Sequence, residues 1–321
     1  MIHPLITIGI TSFNAEDTIA RAIDSALTQT WRATEIIVVD DASTDNTRSV
    51  IDAIAQRHAN IRLIVNARNA GAAVAWNEII ARAKGDFIVF FDDDDVSRPE
   101  RVERQFQRLV AYERDFAGNA PVVCHTAREQ IYPNGSRRIE RTMGTSEARA
   151  APSGLPVAYR ILMGTPTRDG YGSTAACSQM ARTDVYRMLG GFDPAFRRSQ
   201  DTDFCVRVAL AGGHFAGIAD PLVVQTMTRT ADKSLDRLKV QTFALLEKHR
   251  DLIEDDELYH FCREWTDLKF RWLGGNRAEF FELLMQLGMR HPLLTLRRLR
   301  FALPGLDTNR AFRAWHRRHA S

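Results

Sequence analysis

The stretch FIVFFDDDD, residues 87–95, decides the fold of this 321-residue chain. Its first five residues are apolar and rich in phenylalanine and β-branched types, which is typical of a strand buried on both faces. Four adjacent carboxylates follow, and they repel one another unless a positive group lies nearby. The stretch therefore predicts a buried strand whose carboxyl end belongs to a functional site. A solvated acidic turn is the alternative.

Similar strand-like runs occur at residues 5–10, 36–39, 61–65 and 122–124. Between these runs, apolar residues recur every three or four positions, as they do on helices that pack against a sheet. The helical positions are Ile19, Ile23 and Leu27; Val50 and Ile54; Trp76, Ile79, Ile80 and Ala83; and Val102, Phe106, Leu109 and Val110. The alternation predicts an α/β fold with a mainly parallel sheet flanked by helices.

Polar residues follow each predicted strand. Residues 11–14 follow the first strand, Asp40 and Asp41 the second, and Asn66 and Asn69 the third. In an open parallel sheet, ligands bind beyond the carboxyl ends of the strands, so we expect these groups and the four aspartates to share one cleft. A divalent cation with oxygen ligands, Mg²⁺ or Mn²⁺, would neutralise the aspartates there and stabilise a departing diphosphate.

The residues after the second strand have two interpretations, which are compatible. Ser43 or Asp45 caps the next helix, and Asp41 faces a ligand. In this position the carboxylate of Asp41 can accept a hydrogen bond from a nucleobase N–H. Phe13 offers a ring on which a base stacks, although a lone phenylalanine after a strand also suits the core.

Two segments carry signals for the start of a helix. Ser97, with Glu100 three residues later, predicts a capping box before the fourth helix. Asp201 follows the turn residues 190–193 and Gln200, and it opens a second helical pattern. Asp201 either caps this helix or acts as a general base on an acceptor hydroxyl, because a helix N-terminus favours the ionised carboxylate.

Beyond residue 126 the alternation weakens and then becomes helical. Residues 133–135 predict a turn between short strands, 183–189 and 201–211 predict helices, and 215–218 predict a strand that ends at Asp220-Pro221. After Lys233 the predicted helices are 235–249, 257–272, 278–289 and 293–301. We read this last part as a separate helical extension.

The formal net charge of +3 is small, so the chain as a whole predicts no strong polyanion partner. The C-terminal stretch is nevertheless basic and partly apolar. It contains Arg290, Arg297, Arg298, Arg300, Arg310, Arg313, Arg317 and Arg318 among Leu293, Leu294, Leu296, Phe301, Phe312 and Trp315. This pattern suits peripheral contact with an anionic membrane, or a solvated helical face that packs on the catalytic domain. Nucleic-acid binding fits less well, because no recognised motif accompanies the charge.

Four cysteines lie far apart, at positions 124, 177, 205 and 262, without the spacing of a zinc or redox motif. They predict a reducing compartment. We find no signal-peptide pattern and no apolar run that approaches the roughly 20 residues of a bilayer span. The expectation is a cytoplasmic protein, or one attached only to the surface of a membrane.

Several segments, taken in order, resemble the inverting GT-A glycosyltransferases of family 2. They are residues 10–14, 25–30, 38–45, 69–71, 90–95, and 190–193 with Asp201. Each alone is a weak signal, and their common order and spacing make the resemblance specific. It implies a Rossmann-like GT-A domain with a nucleotide-sugar-binding half at 1–126, an acceptor and catalytic-base half at 127–232, and a basic helical extension at 233–321.

The resemblance also implies roles for single residues. On the donor side it points to Thr11, Phe13, Asn14, Asp41, Asn69, Asp92 and Asp93. Asp94 corresponds to the principal metal ligand and Asp201 to the catalytic base. The donor-sugar or acceptor side includes Asp95, Ser173 and Gln200.

The implied reaction is a single, inverting displacement that depends on Mn²⁺ or Mg²⁺. A hexosyl or N-acetylhexosaminyl group passes from a nucleotide-sugar, with UDP favoured, to a hydroxyl of a glycan or glycolipid. The chain departs from the family pattern in three places. Gln200 stands where glutamate is common, Trp76 stands where arginine is frequent, and residues 223–234 lack the histidine that supplies another metal ligand in many relatives.

Two rival functions come from other classes. A phosphatase of the HAD type would use Asp92 as nucleophile and Asp94 as acid, but that pattern normally follows the first strand of its fold, whereas the run here follows the fourth. A catalytically inactive sugar-nucleotide-binding module would bind the donor without turnover.

Overall fold

The computed structural model describes residues 3–227 and 234–302. Its strands are β1 Ile6–Ser12, β2 Thr34–Asp40, β3 Ile61–Val65, β4 Phe87–Asp92, β5 Asp95–Ser97, β6 Val122–Ile131, β7 Arg137–Glu140, β8 Gln179–Arg182 and β9 His214–Thr226. Its α-helices are α1 Ile19–Leu27, α2 Thr47–Ala55, α3 Ala72–Arg82, α4 Arg101–Tyr112, α5 Leu155–Met163, α6 Thr183–Met188, α7 Gln200–Leu210, α8 Leu235–Lys248, α9 Asp256–Gly274, α10 Arg277–Arg290 and α11 Pro292–Ala302.

The described backbone forms two compact units. The first comprises residues 3–131, 139–158 and 167–227, and the second comprises residues 132–138, 159–166 and 234–302. The predicted division at 126/127 and 232/233 stays a prediction.

The sheet has the strand order β3-β2-β1-β4-β8-β6-β9-β5, and all the strands in this order lie in the first unit. The neighbours β3, β2, β1 and β4 are all parallel, whereas β8 runs antiparallel to both β4 and β6. Apolar side chains of the strands pack against those of the helices. Ile8, Val38 and Val89 of the strands are fully inaccessible to solvent. The predicted α/β class is confirmed, because the buried apolar runs form the strands and the amphipathic stretches form the helices beside them.

Three local predictions were wrong. β9 continues through Asp220-Pro221 to Thr226, and an irregular register opposite residues 126–128 accommodates the proline. β6 runs without interruption to Ile131, so the strand predicted at 122–124 and the short strand predicted before the turn at 133–135 are one strand. The capping box does not form, since Ser97 ends β5 and its hydroxyl accepts a hydrogen bond from Nη1 of Arg101 (2.7 Å).

The second unit is helical, as predicted. Helices α8 to α11 lie within a residue or two of the predicted ranges. Their core contains Phe261, Leu268, Leu283 and Leu287. None of the helices in the described ranges is long and apolar enough to cross a bilayer. The predicted basic residues Arg310, Arg313, Arg317 and Arg318, with Phe312 and Trp315, lie outside the described residues.

Candidate functional site

The carboxyl ends of four neighbouring strands, β3, β2, β1 and β4, form one polar rim, as the sequence predicts. Ser12, the last residue of β1, pairs with Asp40 of β2, and Thr11 pairs with Asp92 of β4. Asp40 in turn pairs with Val65, the last residue of β3. The polar groups that follow these strands therefore start from adjacent positions at one edge of the sheet.

Asp41 organises the loop between β3 and α3. Its side chain is buried, and Oδ1 accepts hydrogen bonds from Nδ2 of Asn66 (2.8 Å) and the amide of Ala70 (3.0 Å). Oδ2 accepts from the amide of Gly71 (2.7 Å). A carboxylate has about four lone-pair sites, so one remains for a ligand N–H. Gly71 has φ +92°, a conformation that residues with a side chain rarely adopt.

A second set of hydrogen bonds joins the loop after β1 to the loop after β2. The amide of Asn14 donates to Oγ of Ser43 (2.9 Å), and Oδ1 of Asn14 accepts from the amide of Thr44 (2.8 Å). Asn14 has φ +50°, which asparagine tolerates better than most residues. Oδ1 of Asp45 accepts from the amide of Thr47, the first residue of α2, so Asp45 satisfies a free amide at this helix start.

Phe13 is the apolar residue of the rim. Its side chain is 45% exposed, so it is not a core residue. Its amide donates to Oδ2 of Asp93 (3.0 Å), which fixes the backbone of this loop against the acidic run. An exposed ring held at this position can stack on a planar base.

The acidic run divides into residues with different surroundings. One carboxylate oxygen of Asp92, one of Asp95 and Sγ of Cys177 lie within 4.8 Å of one another, and each could coordinate a metal ion. Asp94 is not in this group, and its backbone oxygen accepts from Nη2 of Arg21 (2.7 Å). Burial raises the pKa of Asp93 to about 7, and the charges of Asp94 and Asp92 add to this rise. The run is thus a site where negative charge is costly and a cation would relieve the repulsion.

The donor chemistry of this cluster suits a hard divalent cation. Carboxylate oxygens are the ligands that Mg²⁺ and Mn²⁺ prefer. Burial raises the pKa of the Cys177 thiol well above its usual range, so the thiol stays protonated and is a poor ligand. The aspartates rather than Cys177 are therefore the residues that fit such an ion.

Two buried arginines beside this cluster were missed in the sequence. Arg101 is fully buried and donates to Gln105 (2.9 Å), Ser97 and the backbone oxygen of Phe90 (2.9 Å). Burial lowers the pKa of Arg101 to about 10, while the acidic groups nearby oppose this effect. The signal for Arg101 is the polar stripe Ser97, Arg101, Gln105 and Arg108, which recurs at helical spacing.

Arg128, on β6, connects the acidic run to the loop before β8. Its Nη1 donates to Oε1 of Gln225 (3.1 Å) and to the Cys177 sulfur (3.3 Å), and Nη2 donates to Oγ of Ser173 (2.8 Å). Gln225 also donates to Oδ2 of Asp95 (3.4 Å). Burial by itself would lower the pKa of Arg128, but the nearby Cys177, Glu140 and Asp95 raise it. The predicted residues Asp95 and Ser173 are therefore linked through one buried guanidinium.

Asp201 is the second residue of α7, and Ser199 occupies the N-cap position, so Asp201 does not occupy the predicted N-cap position. Oδ1 of Asp201 accepts the amide of Thr202 (2.7 Å). One turn later, Cys205 contacts the backbone oxygen of Thr174 (3.9 Å). Helix α7 thus packs against the same loop that carries Ser173.

Asp203 has a structural role that differs from that of Asp201. It is fully buried and forms an ion pair with Arg207 (2.9 Å), whose Nη2 donates to the backbone oxygen of Gly191 (2.6 Å). Asn77 secures the same turn by exchanging hydrogen bonds with the backbone of Phe192 (2.7 and 2.8 Å). The glycine-rich turn is therefore fixed from two helices.

The remaining candidates have distinct positions. Trp76 packs on Phe192 (ring centroids 4.7 Å apart) and is a core residue. Oδ1 of Asn69 accepts from Nη1 of Arg197 (2.9 Å), a residue of the loop before α7. Gln200 is buried, and its Oε1 has no hydrogen-bond partner among the described residues. Such a buried acceptor is costly unless a ligand satisfies it.

Comparison with known proteins agrees with this arrangement. Residues 7–165 match the family model described as "Glycosyl transferase family 2". EpsE of Bacillus subtilis (strain 168) is 30% identical over 207 residues, which are 64% of this chain and 66% of EpsE. The succinoglycan biosynthesis protein ExoO of Rhizobium meliloti (strain 1021) is 41% identical over 108 residues, which are 34% of this chain and 30% of ExoO. The matched part thus spans less than two thirds of either relative.

Two solved structures share the fold. S. aureus TarS 1-349 in complex with UDP-GlcNAc has a TM-score of 0.60 and 16% identity, covering 98% of this chain and 91% of that one. The mannosyltransferase PcManGT from Pyrobaculum calidifontis, in complex with GDP-Man and Mn²⁺, has a TM-score of 0.56 and 18% identity, covering 98% and 84%. The predicted GT-A fold with C-terminal helices is confirmed, and its sheet is parallel from β3 to β4 and mixed beyond β4.

Proposed function

Because residues 7–165 place this chain in glycosyl transferase family 2, we propose that it is a nucleotide-sugar-dependent, inverting glycosyltransferase. The observation that carries the proposal is the acidic rim. The loops after β1, β2 and β4 meet at one sheet edge and hold an exposed ring, Phe13, beside a dense group of carboxylates. A nucleotide-sugar offers a base for the ring and a diphosphate for a cation held by the carboxylates.

The proposed donor is a UDP-sugar carrying a hexosyl or N-acetylhexosaminyl group. Thr11, Phe13, Asn14 and Asp41 bind the base, and Asn69, Asp92 and Asp93 bind the rest of the nucleotide. The remaining acceptor site on the buried Asp41 carboxylate suits the N–H of uracil. That TarS and PcManGT were solved with UDP-GlcNAc and GDP-Man supports a nucleotide-sugar of this class.

The proposed metal is Mn²⁺ or Mg²⁺, with Asp94 as its principal ligand, and the cluster that contains Asp92 and Asp95 does not include Asp94. The raised pKa of Asp93 and the close approach of Asp92 to Asp95 support a cation here, because like charges alone disfavour this arrangement. When bound, the ion supplies positive charge next to the diphosphate.

The proposed base is Asp201. Its carboxylate takes the proton of the acceptor hydroxyl as that oxygen bonds to the anomeric carbon, and the bond from this carbon to the diphosphate oxygen breaks. Electrons of the broken bond leave with the nucleoside diphosphate, and the configuration inverts. The position of Asp201 in the first turn of α7 supports this role, since a helix N-terminus favours an ionised carboxylate. The unsatisfied Oε1 of Gln200 suits an acceptor hydroxyl.

The proposed acceptor is a hydroxyl of a surface glycan or glycolipid. The similarity to ExoO, a succinoglycan biosynthesis protein, supports a glycan as the class of acceptor. We also propose a cytoplasmic site of action. All four cysteines are free and buried, which agrees with a reducing compartment.

The test is a screen of nucleotide-sugars scored by released nucleoside diphosphate, with Mn²⁺ or with EDTA, for the wild type and Asp201→Ala. We expect release from one donor, dependent on metal and on Asp201. Hydrolysis of a generic phosphate ester without any acceptor would support the HAD-type phosphatase instead. Donor binding without turnover in the wild type would identify an inactive binding module.

A further inference from the structure

Helix α10 presents apolar side chains on two opposite faces. Leu283 and Leu287 are buried in the core of the second unit. Phe281, Met285 and Met289 are 59%, 61% and 70% exposed. With 3.6 residues per turn, successive residues are about 100° apart, so these three form a stripe roughly opposite the two leucines.

The following helix, α11, continues this exposed apolar character. Leu293 is 82% exposed and Leu296 is 67% exposed. We call Phe281, Met285, Met289, Leu293 and Leu296 the outer stripe. Surface helices ordinarily carry polar residues on the face away from the core, so an apolar outer face indicates that another phase or molecule covers it.

Arginines are the only charged residues around the outer stripe from Met285 to Ala302, whereas the exposed Glu282 lies beside Phe281 at its start. Arg297 and Arg300 each follow a leucine of the stripe by one helical turn, and both are exposed. Arg290 is also exposed and forms an ion pair with Glu264 (2.9 Å). From Leu283 to Ala302 the sequence contains no acidic residue. Flexible arginine stems can lie along an apolar surface while the guanidinium reaches a polar boundary.

We propose that the outer stripe of α10 and α11 binds the surface of an anionic lipid bilayer. Large unbranched and aromatic side chains enter the boundary between head groups and acyl chains, and Arg297 and Arg300 contact lipid phosphates. Charge complementarity selects this occupant, because an anionic bilayer offers both an apolar layer and the negative charge that the arginines require. The inference concerns the second unit and is independent of the proposed transferase activity.

The test uses the full chain and sedimentation with vesicles of phosphatidylcholine, with and without roughly half phosphatidylglycerol. We expect binding only to the anionic vesicles, and loss of binding at high salt as the screening length falls from about 10 Å at 0.1 M to about 3 Å at 1 M. The triple variant Met285→Glu, Met289→Glu, Leu293→Glu should bind at least about tenfold more weakly, because charged groups at this depth are costly.

A second triple variant controls for the effect of adding three negative charges anywhere on the surface. Met188→Glu, Leu210→Glu and Val240→Glu change three other exposed apolar residues and introduce the same charge. This control should bind vesicles as the wild type does, and both variants should keep the wild-type melting temperature. No binding to anionic vesicles, equal loss in both triple variants, or full binding by the outer-stripe variant would each overturn the proposal. A wild-type dimer in light scattering that the outer-stripe variant abolishes would assign the stripe to a second copy instead.

Discussion

Nη2 of Arg128 donates a 2.8 Å hydrogen bond to Oγ of Ser173, and the two residues are 45 positions apart in the sequence. The same guanidinium also reaches Gln225 and Cys177. Because Gln225 donates to Asp95, a single buried side chain positions both the acidic run and the loop that packs against α7. Arg128 is therefore expected to be a positioning residue for the proposed transfer.

Arg128→Lys tests this role. One ammonium cannot replace the planar guanidinium that spans three partners, so we expect kcat/KM for transfer to fall roughly 10- to 100-fold. UDP affinity should stay near that of the wild type, because the residues assigned to the base are elsewhere. Steady-state kinetics with calorimetric UDP titration measure both quantities. Arg62→Lys, on β3, is the control for the substitution itself, and loss of UDP affinity with unchanged kcat would contradict the assignment.

Asp94→Ala tests the metal site. We expect Mn²⁺ to strengthen UDP binding to the wild type by about tenfold or more, and to have no effect on the variant, because the principal oxygen ligand is missing. Calorimetric titration of UDP with Mn²⁺ and with EDTA measures the difference. Asp86→Ala removes an exposed aspartate from the other end of β4 and should behave as the wild type. A full Mn²⁺ effect in Asp94→Ala would transfer the role to Asp92 and Asp95.

Asp41→Asn should lower the stability of the first unit. The amide Nδ2 of asparagine cannot accept the hydrogen bonds that a buried carboxylate oxygen accepts from Asn66, Ala70 or Gly71. We expect a loss of about 2 kcal/mol in the free energy of unfolding, as for a hydrogen bond to a charged group. Urea denaturation measures it, with the exposed Asp52→Asn on α2 as control. Equal stability of the two variants would show that this loop is held by other contacts.

His125 makes the fold sensitive to acid. It is fully buried in β6 beside Gln179, and burial lowers its pKa to about 3. Between about pH 6 and pH 3 the unfolded chain binds a proton at this histidine that the folded protein does not bind. The free energy of unfolding therefore does not depend on this histidine above about pH 6.5. Below that pH, protonation of the unfolded chain lowers the free energy of unfolding by about 1.4 kcal/mol per pH unit.

His125→Asn should accordingly flatten the acid limb of a plot of unfolding free energy against pH. His58→Asn serves as the control, because His58 is only half-buried and lies in the turn after α2, outside the core. An unchanged slope for His125→Asn between pH 6 and pH 4 would mean that other groups dominate acid unfolding.

Much of the fold was predictable because burial leaves a local signature. The apolar run at 87–91 and the helical spacing of Ile19 and Ile23 report which faces are buried, and β3 begins and ends at the predicted residues. The polar rim was also predictable, because parallel strands bring their carboxyl ends to one edge of the sheet. The errors at Ser97 and Pro221 come from pairing between distant strands, which overrides local signals.

The sequence by itself determined the α/β class, the family resemblance and the acidic rim, because these follow from short-range periodicity and from residues adjacent along the chain. Tertiary structure decided the surroundings of the rim. Arg128, Gln225 and Asp95 meet although they are about 30 to 130 positions apart. Nothing in local spacing reports such contacts, since strand order in the sheet, and not distance along the chain, brings a buried guanidinium to the carboxylates.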